Sequence, residues 1–372
     1  MKLLKSVQKF FISEPMLCIC AVIAIISTFF AAPGANYMEY IDFRVICLLF
    51  CLMAVVVGMQ ECGLFKVLAY NLLSGKKQFS ILSLILILLP FFTSMLVTND
   101  VALIAFVPFT IIVMDMIEKR SALIRIVVLQ TMAANLGSMA TPMGNPHDLF
   151  LYEYYGLSAG EYFQTIFPLV LASLIGISSA AAICKNDTIQ VYFESREQIR
   201  EPKKLAMYTG LFVLCVLSVF RLLDYLLVTA VVLVCMMIFS RSLLKKVDYP
   251  LLLTFVCFFI FAGNMGNIPE VRWFLSEMLH RSTLFSAMLS SQVISNVPSS
   301  VLLSGFTDNW EDLLLGVNIG GLGTPIASLA SLISLRIYMK SEGARPLRYL
   351  GVFTAANIVG IAYLLLIKKF LY

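Results

Sequence analysis

Charge is what this sequence has least of. Only 13% of its 372 residues are Asp, Glu, Lys or Arg, against roughly 25% in soluble proteins, so polar surface is too scarce to wrap a water-soluble globule. Histidine is down to two residues, His147 and His280, which leaves a zinc site without ligands. No HExxH, GxGD or GxxxxGK[ST] run occurs, so an intramembrane protease and an ATP-driven pump both lack their machinery, and the chain is not read as an enzyme. A TVGYG-like filter run, the mark of one class of ion channel, is missing too. No CxxC pair is present: Cys18, Cys20, Cys47, Cys51, Cys215, Cys235 and Cys257 lie in apolar runs and read as small core residues.

What the sequence has in plenty is apolar: 60% of residues are hydrophobic and the mean hydropathy is +0.91. Such a chain is solvated by a lipid bilayer, and an all-α polytopic membrane protein is expected. Apolar segments fall at 15–33, 43–59, 79–97, 101–117, 122–139, 162–183, 205–220, 222–240, 250–266, 282–303, 312–338 and 346–368. None shows the period-two alternation of a membrane barrel, so helices are expected throughout and strands nowhere. Residues 60–75 and 268–281 are mixed in polarity and are expected along the membrane surface. Lys2, Lys5 and Lys9 precede the first apolar stretch, which is long enough to span and is read as an uncleaved first helix rather than a signal peptide.

The net charge of +5 is scattered over short loops, which fits membrane orientation and not nucleic-acid binding. The longest polar stretch, 185–204, carries Lys185, Arg196, Arg200, Lys203 and Lys204 and separates a first half, 1–184, from a second, 205–372. If 79–117 returns to its own side, a cytoplasmic N-terminus puts this linker and most basic clusters inside, with Arg272, Arg281 and Lys368-Lys369 as exceptions. Arg125 and Arg336 lie about 24 Å and about 18 Å along their helices from Thr141 and Thr324, far enough to snorkel to that face.

The two halves match. MAVVVGMQECGLFKVLAYNLL (53–73) is similar to FFIFAGNMGNIPEVRWFLSEML (258–279), and MLVTNDVAL (95–103) to VISNVPSSV (293–301). NLGSMATPMGNP (135–146) aligns without a gap to NIGGLGTPIASL (318–329), placing Asn135 opposite Asn318 and Thr141-Pro142 opposite Thr324-Pro325. By the span count the copies enter from opposite sides, which makes an inverted repeat the expected architecture.

Each half holds two unusual elements. One is an apolar pair around a polar tip, spanning 79–117 with Thr98-Asn99-Asp100 and 282–306 with Ser295-Asn296-Val297-Pro298. Residues 299–306 supply only about 12 Å of helix against ~30 Å of hydrocarbon, so re-entrant hairpins are expected. The other is a helix broken by Gly and Pro, over 122–156 with its break at Ala140–Pro146, and over 312–338 with its break at Leu322–Pro325. Freed carbonyls at such a break suit a cation, and freed N–H groups suit an anion. Kinks and interhelical glue are the structural alternative, but broken segments in corresponding positions of two inverted halves point to a transport site.

MLVTNDVALIAFVPF (95–109), NLGSMATPMGNPHDLFLY (135–152), SSQVISNVPSSVLL (290–303) and NIGGLGTPIASLASLI (318–333) resemble the ion transporter superfamily. The similarity is to its citrate-transporter-like permeases, which include divalent anion/sodium symporters and arsenite or sodium/proton antiporters. The resemblance implies a scaffold bundle and a mobile transport bundle, homodimerisation through the scaffolds, elevator-type alternating access and a multi-pass place in a bacterial or archaeal plasma membrane. It implies secondary active transport of a small anion, a carboxylate or inorganic oxyanion, coupled to Na+ or H+ with no other cofactor; sodium/proton antiport, and behind it an ion channel, are the alternatives. In sodium-coupled relatives a Ser-Asn-Thr triplet marks each tip; here the Asn matches twice and the final Thr is replaced twice.

Asn99 and Asn296 are therefore the leading substrate-binding candidates, with Thr98, Ser295, Ser299, Thr141, Thr324 and Asn145 beside them. Ion coupling is expected at Asp100, and at Asn99 with carbonyls around Ser138 and Asn296 with carbonyls from Gly321 to Thr324, with Na+ the one metal ion envisaged. Asp100 has two readings, a mid-membrane carboxylate that binds Na+ or H+ and a cap on the second hairpin helix. His147 and Asp148 are candidates for a proton relay, with Asp148 also read as a helix N-terminal acid.

Overall fold

The computed structural model describes residues 15–30, 37–183, 187–191 and 198–371. Lys2, Lys5, Lys9, Lys185 and Arg196 lie outside the described residues. Among those described, seven helices are long and apolar enough to cross a bilayer. The chain is a polytopic helical membrane protein.

The first part of the chain runs through α1 (Pro15–Ser27), α2 (Tyr37–Tyr40), α3 (Phe43–Glu61) and α4 (Leu64–Leu73). Asp42 starts α3 by accepting the Val45 N–H, and Gly63 at φ 86° makes the corner between α3 and α4 in a left-handed conformation that a side chain disfavours. Then come β1 (Gly75–Gln78), α5 (Phe79–Thr93), α6 (Asn99–Met116), α7 (Leu123–Ser138), α8 (Pro146–Tyr154) and α9 (Ala159–Ala182). After β2 (Thr188–Val191) follow α10 (Pro202–Val219), α11 (Tyr225–Phe239), α12 (Tyr249–Gly266) and α13 (Pro269–Arg281). The last are α14 (Thr283–Ile294), α15 (Asn296–Ser304), α16 (Trp310–Gly320), α17 (Leu329–Met339) and α18 (Pro346–Leu371).

Two expectations are corrected. The chain is not strand-free, because β1 pairs antiparallel with β2, Gly75 opposite Val191 and Gln78 opposite Thr188. Polar sequence there cannot be lipid-buried, so its backbone groups pair across a ribbon. The second break is also longer than Leu322–Pro325: α16 ends at Gly320 and α17 begins at Leu329.

Helices α1, α3, α10, α11 and α12 pack on one another as an outer bundle, while α5 to α9 and α14 to α18 pack together as an inner one. Helix α4 leads from α3 to the α5–α6 pair, and α13 from α12 to the α14–α15 pair. Close approach within the inner bundle rests on small residues. A Cβ on Gly137 of α7 would overlap the Phe91 carbonyl of α5, and one on Gly320 of α16 would come within 2.9 Å of the Met288 Cα of α14. The inner bundle buries a polar interior that includes Gln130, Thr131, Asn135, Ser138, Asn318, Ser328, Ser331 and Ser334. Gln130 ties α5, α6 and α7 together: its Nε2 donates to the Leu86 carbonyl and to Thr110 Oγ1, each at 2.7 Å, while its buried Oε1 has no partner.

Candidate functional site

Four helices begin at one place. Helices α6, α8, α15 and α17 start at Asn99, Pro146, Asn296 and Leu329, and these four residues line a single cavity with Asp100, Asn145, Ser295, Val297, Pro298 and Ser328. Leu251 and Thr254 of α12 close it from the outer bundle. Its volume is about 30 Å³, room for about one water molecule. The first turn of a helix carries a partial positive charge, and four such ends face this one cavity.

Asn135, inside α7, is the hub of the side-chain network. Its Oδ1 accepts from Asn99 Nδ2 at 2.9 Å and from Ser328 Oγ at 3.0 Å, and its Nδ2 donates to Ser331 Oγ at 3.3 Å. The α5–α6 tip is thereby fastened to the α16–α17 break. The α14–α15 tip is fastened to the same break by backbone: Asn296 N–H donates to the Ala327 carbonyl at 2.9 Å and Ser295 Oγ to the same oxygen at 3.3 Å. Ser295 holds φ 75° and ψ 157°, a region left almost entirely to glycine, at a cost of about 1–3 kcal/mol. Each tip Asn folds back on its own helix, Asn99 Oδ1 accepting the Asp100 N–H at 3.0 Å and Asn296 Oδ1 the Val297 N–H at 2.9 Å. The remaining amide of Asn296 lies over Gly321, where a Cβ would approach it to 3.0 Å.

Asp100 does not cap α6. Thr98 occupies the cap position, Asp100 stands in the first turn, and its buried Oδ1 has no hydrogen-bond partner. A carboxylate oxygen without a partner inside a membrane bundle is costly; Asp148 Oδ2 and Glu153 Oε1 share the feature, but of the three residues Asp100 alone lines the cavity.

The two breaks differ. In the α16–α17 break, Gln292 Nε2 donates to the Gly320 carbonyl at 2.7 Å and the Leu322 carbonyl at 2.9 Å, while its Oε1 accepts the Thr324 N–H at 2.8 Å. One neutral amide thus meets three of that break's backbone groups, and Asn357 Oδ1 accepts the Gly323 N–H at 3.2 Å. In the α7–α8 break the carbonyl oxygens of Ser94 and Ser138 converge on Gly144, where a Cβ would overlap both.

The citrate transporter family model matches residues 8–309, most of the chain. The chain belongs to the citrate transporter family. An uncharacterized transporter of Methanocaldococcus jannaschii is 33% identical over 298 residues, covering 80% of this chain and 81% of that protein. An inner membrane protein of Escherichia coli is 29% identical over 301 residues, 80% of each chain. A 46 kDa membrane protein of Mycobacterium leprae is 24% identical over 348 residues, covering 82% and 80%.

In this family member the cavity gathers five of the residues singled out from sequence, Asn99, Asp100, Asn145, Ser295 and Asn296. The others lie apart from it. Thr141 Oγ1 donates to the Met95 carbonyl, and Thr324 Oγ1 to the Gln292 carbonyl at 3.2 Å, so each break threonine pins its own hairpin. Thr98 stands at the α6 cap position, Ser299 is buried one turn below the second tip with no hydrogen-bond partner for its hydroxyl, and Ser138 Oγ accepts from Asn145 Nδ2 at 3.1 Å behind the cavity wall. Gly321 is buried in the second break, its carbonyl facing Asn135 Nδ2 at 3.5 Å.

His147 and Asp148 turn away from the cavity toward α16. Asn318 Nδ2 donates to Asp148 Oδ1 at 2.6 Å, and His147 Nε2 lies 3.3 Å from Asn318 Oδ1 and 3.5 Å from Asp148 Oδ1, all fully enclosed. Asn135, Gln292, Ser328 and Thr254 escape a reading of the sequence for sites. The paired position of Asn135 and Asn318 in the repeat is the one signal that marks them.

Proposed function

We propose that this member of the citrate transporter family is a secondary active transporter that binds a small anion, a carboxylate or inorganic oxyanion, between two re-entrant tips and two helix breaks. The observation that carries the reading is the meeting of four helix N-termini, with Asn99 and Asn296 among their first residues, at one buried cavity. Asn99, Asn296 and Ser295 bind the anion in the positive field of those helix starts, and Asn145 and Ser328 close the site.

The architecture proposed is two inverted halves, and reciprocal contacts support it. The register that sets Asn135 opposite Asn318 also sets Ser331 opposite Asp148, and Asn135 reaches Ser331 as Asn318 reaches Asp148. Likewise Thr141 holds Met95 as Thr324 holds Gln292. That places Met95 opposite Gln292, one residue earlier than the match of the hairpin sequences, and brings Asn99 opposite Asn296. In an elevator motion the inner bundle slides past the outer one, carrying the cavity away from Leu251 and Thr254.

Cation coupling belongs to the first break. Carbonyls of Ser94 and Ser138 meet beside Gly144, and Asp100 on the same hairpin supplies negative charge, whereas Gln292 already donates to the Gly320 and Leu322 carbonyls of the second break. One coupling site in place of two pseudo-symmetric ones follows. Sodium/proton exchange is the second reading, favoured by a cavity with room for about one water molecule, the size of a bare ion.

Melting of the purified protein against a panel of citrate, succinate, sulfate, phosphate and arsenite, each in Na+ and in K+, tests this directly. An anion is expected to raise the midpoint more in one cation, and Asn99→Ala and Asn296→Ala are expected to abolish the rise; each also loses a buried hydrogen bond, so the ligand-free midpoint is expected to fall by the few degrees that about 1–3 kcal/mol gives while the protein still folds. A midpoint that answers to Na+ and pH but to no anion would establish the exchanger instead.

A further inference from the structure

A large apolar hollow lies on the outside of the inner bundle and shares no lining residue with the cavity at the helix starts. It is a groove of about 800 Å³ between α7, α9 and α18, open along its length, with Met132, Gly176, Ala180, Ala355 and Gly360 forming its floor and walls. Gly176 and Gly360 let the helices close along its floor: a Cβ on Gly176 would come within 2.9 Å of the Tyr363 ring, and one on Gly360 within 2.7 Å of Met132 Cε. Directly beyond one end lies a second hollow of about 240 Å³, polar, lined by Arg120, Arg345 and Arg348. The two are stacked on the same helices: Ile124 borders the polar hollow and Val128 the apolar one, as do Arg348 and Val352, and each pair is one turn apart.

Charge at this end is lopsided. Arg125 stands at the junction and donates to the backbone carbonyls of Ile183 and Ala180, with no carboxylate among its hydrogen-bond partners. Arg120 is shared between the Glu342 carbonyl and Asp115, 3.4 Å away. Arg345 and Arg348 form no ion pair among the described residues, and Glu342 is the one acidic residue lining the polar hollow. An apolar channel at acyl depth that ends in an arginine basin at headgroup depth has the chemistry of one molecule, a phospholipid with a net negative headgroup.

We infer that the α7/α9/α18 groove is a binding site for an anionic phospholipid, its acyl chain lying against Gly176, Ala355 and Gly360 and its phosphate held by Arg345, Arg348 and Arg120. The lipid lies along α7, the helix that carries Asn135 and Ser138. Arginine suits the task because its planar fork meets a phosphate with two N–H groups at once.

The test is thermal melting of detergent-purified full-length protein with mixed micelles of dioleoylphosphatidylglycerol, with dioleoylphosphatidylcholine, and with inorganic phosphate alone. The phosphatidylglycerol is expected to raise the midpoint by several degrees and the other two to leave it unmoved. Arg345 and Arg348 are exposed, so the double variant R345Q/R348Q folds; it is expected to lose most of the rise, while Lys203→Gln, exposed elsewhere, keeps it. Ala355→Phe, at an exposed position in the groove, is expected to lose it too, by blocking the chain and sparing every arginine. An equal rise with phosphatidylcholine, a rise with phosphate alone, or full retention in R345Q/R348Q each overturns the inference. So does a change of oligomeric state in Ala355→Phe without any lipid dependence, which would make the groove a seat for a second copy of the chain.

Discussion

Asp100 is the residue on which the proposed coupling turns. Its carboxylate is placed in the first turn of α6 beside the cavity with one oxygen unpartnered, so the fold gains nothing visible from its charge. Asp100→Asn is therefore expected to leave the ligand-free melting midpoint unchanged or raised, and to make anion uptake indifferent to an imposed Na+ or H+ gradient. Uptake measured with and without the gradient checks this; a lowered midpoint with intact coupling would return Asp100 to a structural role. The tip residues Asn99 and Asn296 were legible in the sequence because each interrupts an apolar run at a repeated position. Asn135 was not, since an amide inside a helix looks like ordinary interhelical glue until Asn99 and Ser328 are seen on it. His147 and Asp148 lie in the same first turn as Asn145 and Pro146; successive helix positions differ by about 100°, so Asn145 and Pro146 line the cavity while Asp148 meets Asn318 of α16.

The hairpins and breaks are held by close backbone approach at one scale up. Gly137 packs against the Phe91 carbonyl of α5 with no room for a methyl group. Gly137→Ala is expected to cost about 1–3 kcal/mol by pushing α5 from α7, read as a lowered unfolding midpoint together with loss of anion binding. The hairpin arms and the first break were visible in the sequence as apolar runs interrupted by Gly, Pro and Asn. The ribbon of β1 and β2 was not, because strand pairing between distant polar segments leaves no local pattern. Equally invisible was the ion cluster at the end of α8. Glu153 there pairs with Arg44 of α3 at 2.8 Å and lies 3.5 Å from Arg221, between α10 and α11. The Glu153 side chain is 3% exposed, and the two arginines belong to the outer bundle, so the cluster latches the bundles together in this conformation. Glu153→Gln is expected to loosen that latch by about 1–3 kcal/mol, because the arginines remain half-buried without their anion. Faster cross-bundle hydrogen exchange at α8 would register it; unchanged exchange would deny the latch.

Over the whole molecule the charges sort by membrane side. With a cytoplasmic N-terminus proposed, Lys246–Glu61 and Lys119–Asp187 fall on the inner face. The Glu153 cluster and Lys368–Asp312 fall on the outer face. Each of these pairs joins residues of one face. Arg44, Arg221 and Lys368, basic residues on the side where the positive-inside rule disfavours them, are all paired with acids, which lowers the cost of their placement. The class of the molecule, a polytopic helical transporter, was readable from composition and motif; the separation into two packed bundles needed the contacts. What remains decisive is energetic. Purified protein in proteoliposomes, given the anion that raises its melting midpoint and an inward Na+ or H+ gradient, is expected to accumulate that anion above its external concentration, and Asn99→Ala and Asn296→Ala are expected to accumulate none. Uptake that stops at equal concentrations on both sides, whatever the gradient, would contradict coupled transport and make the protein a passive conduit.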